Sequence, residues 1–522
     1  MLERLPTEIL CEIVHDFSRR DFIECVQVNR YWRQRLPPYS SHLWKHVDIK
    51  THDHLIFLAQ TSCFGQYIDS CKITMLSKDA LLYHALEQLQ GYHLQSLVLD
   101  YFRIEDNERL IDLLKNVRCE SLKFTGVTGA CLDFVGIITA SSGGVGGDGH
   151  MRHFACHYDL MYPMLMFDDD DDDMCLYPPP APPLPNTNGL GLVSLALTTQ
   201  NLQVDWMGLL QRCSTTLQHL HIDVTDPIIC RDIMNACPQL QSMFIGEFAV
   251  PEIVTWPPPP PSSSDKPGLR HLGYYGQCHD IDIMEFVLEH QHTLETLYFD
   301  TCIPIQIPPW SDINAFQSTS LKTLVSSHTH ETLPDTLVHL IRQSSNLETV
   351  VLHQVNSASD KIWDTLMNLD TLQNLSLHVH IWEYDPNRAW EWHTLIHRLG
   401  TMTTLRQLEL VALDGAKSIE CAQLFRMLDG IQLVKLRLLS IHVLSDRTLE
   451  ALLPHAPLME QVDIVDCPIV TTCGIKALID GLPKVRNVTF LLSKEQRIPD
   501  DVDELTSYAK GKGVKLVVDS LD

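Results

Sequence analysis

The sequence is poor in cationic residues for its length. Lys and Arg together number 39, against 66 Asp and Glu, which gives a formal net charge of −27. Nucleic acid and anionic lipid surfaces are both bound through clustered cations, so this deficit argues against either partner. One run, from Asp168 to Asp173, supplies part of the acidic excess, and the rest of the chain is only moderately acidic.

Long apolar runs are also absent, and none approaches the length that a membrane-spanning helix needs. The N-terminus lacks the basic region and apolar core of a signal peptide. The 16 Cys are scattered without CxxC pairs, so we expect them to stay reduced and to behave mostly as small buried apolar residues. These absences predict a cytoplasmic or nuclear protein that does not associate with membranes.

Catalytic motifs are missing as well. The sequence has no nucleophile elbow, no HExxH and no P-loop, and no set of Ser, His and Asp stands out. Gly144, Gly146 and Gly149 fit GxGxxG, but no Lys is near and six aspartates follow, so we interpret this stretch as a flexible loop. The Asp run lacks the ligand spacing of a calcium loop. We therefore predict a protein that is not an enzyme.

Histidines cluster in one region without forming a convincing metal site. His378 and His380 end a predicted strand, whereas His393 and His397 lie four residues apart on a predicted helix. Strand and helix lie on opposite sides of the repeat described below, so these four side chains are not expected to converge. We predict no metal and no cofactor.

The first fifty residues have the pattern of three short helices. Ile9, Ile13 and Phe17 recur every four residues, and Pro6 suits a first helical turn. A second helix is expected from Ser18 or Asp21, burying Phe22, Cys25 and Val26, and a third over 28–35 around Trp32. So small a unit is marginal alone and should pack against a partner or a neighbouring domain.

This segment resembles the F-box family. The matching residues are Leu5-Pro6, Glu8-Ile9, Ile13, Asp21, Cys25, Val28, Asn29-Arg30, Trp32-Arg33 and Leu43-Trp44-Lys45. The resemblance covers roughly a tenth of the chain, and it implies binding to a Skp-type adaptor and, through it, to a cullin scaffold. The adaptor-binding residues that it implies are Leu5, Pro6, Ile9, Ile13, Val28 and Trp32. The alternative is that these residues form only the core of an N-terminal helical cap.

The rest of the chain repeats the pattern L-x-x-L-x-L, with other apolar residues allowed. Its first positions are Trp44, Ile68, Leu94, Cys119, Leu192, Leu217, Leu240, Leu269, Leu294, Leu321, Leu347, Leu372, Leu405, Leu436, Met459 and Val485. Most steps cluster near 25 or 26 residues, and the 73-residue gap after Cys119 can hold one more unit at 151–156. This period is that of leucine-rich repeats.

The repeat predicts an α/β fold, in which a short helical F-box precedes a curved leucine-rich-repeat solenoid. The leucines point inward, the strands form a parallel concave sheet, and the helices lie outside. We expect an F-box at 1–48 and the solenoid at 49–522. Two low-complexity inserts, at about 141–190 and 255–267, have too little apolar content to fold and should leave the array as loops.

A row of residues should project from the concave sheet, because side chains alternate along a strand. The row begins small or aliphatic, is aromatic and rich in histidine in the middle, and becomes charged late, at Glu409, Lys435, Arg437 and Asp463. Exposed aromatic side chains dominate binding surfaces. The substrate-binding residues predicted from the middle of the row are His221, Phe244, Tyr275, Tyr298, His353 and His378.

An enzyme with a site hidden in the 141–190 insert is a third hypothesis, against which the absence of any catalytic motif stands. Two other functions remain open from the sequence. In the first, the chain is the substrate-recognition subunit of an SCF-type (cullin-RING) ubiquitin ligase: the F-box binds the adaptor and the concave face binds an unidentified protein substrate. In the second, the chain is an interaction scaffold that works without a ligase and carries an F-box-like cap. Binding of a Skp-type adaptor separates the two.

Overall fold

The structure is a computed structural model of the 522-residue chain, which divides into two compact units, Met1–Pro267 and Gly268–Asp522. The division falls at the end of the second predicted insert. The residues described are 7–15, 17–28, 32, 36, 43, 45–51, 54, 68–74, 79–104, 106–129, 134–141, 151–158, 190–198, 206–223, 230–246, 268–275, 282–300, 315–326, 334–353, 360–378, 399–411, 425, 428, 431–492 and 501–520.

Among the described residues, the first unit has two helices near its start, followed by strands and further helices. Its helices are α1 (Thr7–His15), α2 (Arg19–Val28), α3 (Asp79–Leu89), α4 (Asn107–Leu114), α5 (Phe134–Ser141), α6 (Trp206–Cys213) and α7 (Cys230–Ala236). Its strands are β1 (His46–Ile49), β2 (Ser70–Thr74), β3 (His93–Asp100), β4 (Arg103–Ile104), β5 (Arg118–Gly129), β6 (His153–Tyr158), β7 (Ser194–Thr198), β8 (His219–Asp223) and β9 (Ser242–Ile245). The strands pair in parallel in chain order, except that β3 pairs directly with β5 and the short β4 pairs with the end of β5.

The second unit likewise contains helices and strands. Its helices are α8 (Asp282–His290), α9 (Pro334–Arg342), α10 (Asp360–Met367), α11 (Asp446–Glu450), α12 (Thr472–Gly481) and α13 (Val502–Gly511), with a 3₁₀ turn at Leu453–His455. Its strands are β10 (His271–Tyr275), β11 (Thr296–Asp300), β12 (Thr323–Ser326), β13 (Thr349–His353), β14 (Asn374–His378), β15 (Gln407–Val411), β16 (Lys435–Leu439), β17 (Gln461–Val465), β18 (Asn487–Leu492) and β19 (Lys515–Ser520). Each strand pairs in parallel with the next in chain order.

The inward leucines set the register between strands. Leu97 pairs with Leu122, and the same row continues through Phe154 and Leu195 to Leu220. All five side chains are buried. A one-residue slip of any strand would turn its apolar set to the other face, so burial of the leucines fixes the pairing.

A repeated backbone pattern fixes where each strand begins. The carbonyl oxygen of Gln373 accepts from the amides of Arg406 and Gln407, at 2.7 and 2.9 Å. Equivalent carbonyls, each accepting from two successive amides of the next repeat, belong to Lys45, Asp69, Arg152, Val193, Gln218, Arg270, Glu295, Lys322, Glu348, Arg406, Val434 and Glu460. Each strand start is thus held by its neighbour, whatever the length of the segment between them.

A threonine hydroxyl adds a second link at several repeats. The hydroxyl of Thr371 donates to the carbonyl oxygen of Leu347 at 2.7 Å. Thr216, Thr293 and Thr404 make the same bond to Leu192, Leu269 and Leu372. In each case the threonine directly precedes the first apolar residue of its repeat and bonds to the first apolar residue of the repeat before. The sequence pattern therefore extends to T-L-x-x-L-x-L, a signal that the leucine spacing alone did not contain.

The predicted α/β fold class, a helical N-terminal segment followed by a repeat solenoid with a parallel sheet, is confirmed. The extra repeat expected at 151–156 is present as β6. One repeat start was wrong: Leu436 pairs with Leu408, which makes Leu433 the first apolar position of that repeat. Leu433 and Leu436 are both buried. The start was ambiguous because two copies of the pattern L-x-x-L-x-L overlap at this point. Most of the two predicted inserts, 142–150, 159–189 and 255–267, lies outside the described residues.

Candidate functional site

Helices α1 and α2 contribute to a small core at the N-terminal end of the first unit. Leu10 and Val14 of α1 and Phe22 of α2 are buried together with Leu36. Phe17, Cys25, Trp32 and Leu43 are partly buried against this cluster. The predicted burial of Phe22 is therefore confirmed, and Trp32, which the family resemblance assigns to adaptor binding, packs at least in part on the core.

The start of α2 is fixed by a reciprocal cap. The Ser18 hydroxyl donates to Asp21 Oδ2 at 2.6 Å, and the Asp21 amide donates to the Ser18 hydroxyl oxygen at 3.2 Å. The Ser18 amide also donates to Asp21 Oδ2, at 3.1 Å. This arrangement satisfies amides that a helix start leaves without intrahelical partners. Both residues proposed from the sequence as possible caps thus act together.

Apolar side chains also lie on the outside of this helical segment. Ile9 of α1 is 39% exposed and Val28 of α2 is 66% exposed, although the neighbouring Leu10 and Val14 are fully packed. Ile13 lies in α1, four residues after Ile9. Leu5 and Pro6 lie outside the described residues. Ile9 and Val28 are therefore aliphatic residues that the core of this segment leaves in contact with solvent.

The second predicted site lies on the front face, by which we mean the sheet face opposite the inward leucines. The predicted row is in register: Ala196 pairs with His221, and His221 pairs with Phe244. In the second unit, Tyr298 pairs with Val325, and Glu409 pairs with Arg437. The spacing argument therefore placed these residues on the correct face.

The exposure predicted for the middle of this row is wrong. Phe244 is 0% exposed, and His221 and Tyr298 are also buried. The His221 and Phe244 rings contact each other edge to face, with centroids 6.1 Å apart. Every residue of β9 is buried, as in parallel strands that are covered on both faces. Tyr275 lies in β10, in register with Asp300.

His353 and His378 are only half-buried. They pair directly across β13 and β14, and their rings stack with centroids 3.8 Å apart and planes inclined by 27°. The pair ends two adjacent strands on the front face. Of the six predicted substrate-binding residues, these two are the ones whose described side chains keep contact with solvent.

The late, charged part of the row is paired within the sheet. Arg437 lies 3.4 Å from Glu409, and Lys435 lies 3.8 Å from Asp463. The Gln461 side-chain amide donates to both carboxylate oxygens of Asp463, at 3.1 and 2.9 Å. β15, β16 and β18 alternate between buried and more exposed residues, whereas β17, like β9, is almost entirely buried. The front face is therefore accessible at β15, β16 and β18, but not at Asp463 of β17.

A polar row beside the predicted one was not recognised from the sequence. His271 Nδ1 lies 3.1 Å from the Thr296 hydroxyl, and the Asn374 amide donates to the Thr349 hydroxyl at 2.9 Å. Burial lowers the pKa of His271, and nearby Arg270 and Lys322 lower it further, although Glu295 opposes them. Burial likewise lowers the pKa of His153. The residues of this polar row lie two or four positions before the predicted row on the strands and therefore on the same face. That spacing is the sequence signal that could have revealed them.

Most of the described cysteines behave as small core residues. Cys71, Cys119, Cys156, Cys213, Cys237 and Cys467 are buried, whereas Cys473 is exposed. Burial raises the pKa of Cys71 and of Cys119 to about 12. A thiol with such a pKa is almost entirely protonated near neutral pH, and therefore a poor nucleophile.

Within the described ranges, no group of three or more His, Cys, Asp or Glu side chains is arranged as a metal site requires. None of the helices in this part of the chain is long and apolar enough to cross a membrane.

Comparison with known proteins identifies the N-terminal segment. The F-box-like family matches residues 2–50. No curated protein sequence matches the chain. Among solved structures, the yeast Rad7–Elc1 complex contains a chain that is 12% identical, with a TM-score of 0.32 and coverage of 98% of both chains. A similarity of that size supports no conclusion about this chain.

Proposed function

We propose that this chain is the substrate-recognition subunit of an SCF-type cullin-RING ubiquitin ligase. In this proposal the F-box-like segment binds a Skp-type adaptor, the adaptor links the chain to a cullin, and the front face of the repeats binds a protein substrate. Ubiquitin transfer is catalysed by other subunits. The observation that carries the proposal is the F-box-like match at residues 2–50, which coincides with the exposed apolar residues of α1 and α2.

Helix α1 carries apolar residues both in the core and on its exposed surface, which supports this role. Leu10 and Val14 already supply the inward face of α1, so Ile9 is not needed for that core. When a partner covers an aliphatic side chain that was exposed to water, burial of that apolar surface stabilises the complex. Val28 is an exposed aliphatic residue of α2, so each of the two helices carries one apolar side chain that an adaptor would cover.

The substrate surface that we propose is reduced from the one predicted. Buried Phe244, His221 and Tyr298 are not available as anchors in this conformation. The half-buried pair His353 and His378 remains, next to the more accessible front face of β15 and β16. Substrate capture that survives replacement of both histidines by Ala would remove them from the site.

The adaptor contact is tested by purified binding with a double variant, Ile9→Asp with Ile13→Asp. Introducing two unpaired charges into an apolar contact costs several kcal/mol, so adaptor affinity should fall by at least about a hundredfold. The matched control is Ile469→Asp, because Ile469 is 53% exposed in the second unit. Circular dichroism and thermal melting show that each variant is folded. Unchanged adaptor binding by the double variant would reject the proposal and favour a scaffold that works without a ligase.

A further inference from the structure

The last strand of the second unit has one paired edge and one edge with no partner among the described residues. β19 pairs in parallel with β18, from Asn487–Lys515 to Leu492–Ser520. Lys515, Val517 and Asp519 alternate as its exposed residues, with Val517 41% exposed. An open strand edge offers amide and carbonyl groups to any further strand.

The hydrogen-bonding direction of each residue in β19 follows from one bond. The Lys515 amide donates to the Arg486 carbonyl oxygen at 2.8 Å and so points towards β18. Backbone groups of successive strand residues point to opposite sides, so Val517 and Asp519 also face β18. The amide and carbonyl of Leu516 and Val518 therefore point towards the open edge.

The sequence of β19 is complementary to itself in an antiparallel arrangement. Its central residues are Lys515, Leu516, Val517, Val518 and Asp519. A two-fold axis through Val517 places Lys515 opposite the partner's Asp519, twice per dimer. The same axis places Leu516 opposite the partner's Val518, and these are the residues whose backbone groups face outward. Charge pairing, apolar pairing and backbone bonding thus agree in one register.

Neighbouring registers lose this agreement. A two-fold axis through Leu516 or through Val518 puts Lys515 or Asp519 opposite the apolar Val517. An axis between two residues puts an outward-facing backbone group opposite an inward-facing one, which an antiparallel ladder does not allow. Opposite charges directly across a strand pair stabilise it, and like charges destabilise it. The register through Val517 is therefore the one that the chemistry selects.

We propose that β19 joins β19 of a second copy of this chain, in an antiparallel pair centred on Val517, so that the protein forms a two-fold dimer. The inference is independent of the proposed ligase function, because it rests on residues of the second unit alone. The dimer would carry one N-terminal adaptor-binding segment on each copy.

Charge reversal tests the register on the full chain, measured by sedimentation equilibrium. Lys515→Asp and Asp519→Lys each place like charges opposite one another at two positions, and each should weaken dimerisation on the order of tenfold or more. An equimolar mixture of the two variants should dimerise as the parent does, since one copy then presents acids and the other bases. The double reversal in one chain should restore the dimer as well.

Proline tests the backbone contribution. Val518→Pro removes an amide that points to the open edge, a position where edge strands tolerate proline, so the dimer should be lost while the melting temperature stays close to that of the monomeric charge-reversal variants. Val517→Pro removes an amide bonded to β18 and should lower the melting temperature, which checks the assigned directions. A parent chain that is monomeric at every measurable concentration would overturn the proposal. So would a dimer that is insensitive to both single charge reversals.

Discussion

The hydroxyl of Thr404 donates a hydrogen bond to the carbonyl oxygen of Leu372, 2.7 Å away, and so joins the start of one repeat to the start of the repeat before it. Thr216, Thr293 and Thr371 repeat this relationship. Without the Thr404 hydroxyl, the carbonyl oxygen of Leu372 would lose this hydrogen bond in a partly buried position. The threonine is therefore part of the repeat rather than a variable surface residue.

Replacing Thr404 by Val should lower the free energy of unfolding by about 1 kcal/mol, because the shape is kept and one hydrogen bond is lost. The control is its neighbour Thr403→Val, where the side chain is exposed, and the change should stay within about 0.5 kcal/mol. Urea unfolding of both variants measures the difference. Equal effects would show that the hydroxyl of Thr404 contributes nothing.

Gly474 of α12 should tolerate no side chain. A Cβ there would meet the carboxylate of Asp446, which is held by the Thr471 amide at 2.8 Å and by the Thr471 hydroxyl at 2.5 Å. Gly474→Ala should therefore cost about 1–3 kcal/mol by overpacking. Gly511→Ala is the control, because a Cβ at Gly511 meets nothing within 4 Å. Thermal melting that ranks the two variants the other way would contradict this packing.

Phe244→Ala should destabilise the fold by about 3–5 kcal/mol, the usual cost of removing a fully buried ring. Ile469→Ala, at an exposed position, should have little effect. Chemical denaturation compares them. A stable Phe244→Ala variant would mean that this side chain is exposed in solution, as the sequence pattern first predicted.

Stability should fall as pH decreases from about 7.5 to about 5.5. Burial lowers the pKa of His153, His271 and His290 below the ordinary value of 6.5, so the unfolded chain binds more protons than the folded chain as pH falls through that value. The stability that these neutral histidine rings contribute is present above their pKa in the unfolded chain, and it is lost as the pH falls below that pKa. His271→Gln should flatten the dependence of the denaturation midpoint on pH. An unchanged slope would show that His271 does not titrate differently on folding.

Thiol labelling should separate the described cysteines sharply. Cys473 is exposed, whereas burial raises the pKa of Cys213 to about 12 and that of Cys237 to about 11. Iodoacetamide should modify Cys473 in the native protein and the two buried thiols only after unfolding. Peptide mapping by mass spectrometry measures the rates. Fast native labelling of Cys213 would show that α6 opens readily.

The repeat could be predicted from sequence because its signal is periodic. A leucine at every second strand position must face inward, so the face of Phe244 and of Tyr298 followed without knowledge of the fold. Their burial could not be predicted, because spacing fixes the face of a side chain but not what covers that face. The predicted start of the repeat at Leu436 was wrong because residues 433–438 and 436–441 both fit the pattern L-x-x-L-x-L, with other apolar residues allowed.

The N-terminal segment likewise has features that the sequence predicts and features that it does not. The spacing of Leu10, Val14 and Ile9 predicts an apolar helix, and the helix is confirmed as α1. Which of its apolar residues serves the core and which faces a partner depends on where Phe22 and Leu36 pack, and that contact joins residues distant in sequence. Adaptor binding by Ile9 and Val28 stays a prediction.

At many strand starts one carbonyl oxygen accepts from two amides of the next repeat, and this pattern has a consequence for the evolution of the sequence. Gln373 and Arg406 are 33 residues apart and make the same bond as Val193 and Gln218, which are 25 apart. Because each strand is aligned by its neighbour's carbonyl, residues can be gained or lost between two strands without shifting the alignment of any other. Insertions and deletions between repeats should therefore accumulate freely in descendants of this gene, while insertions inside L-x-x-L-x-L are eliminated by selection.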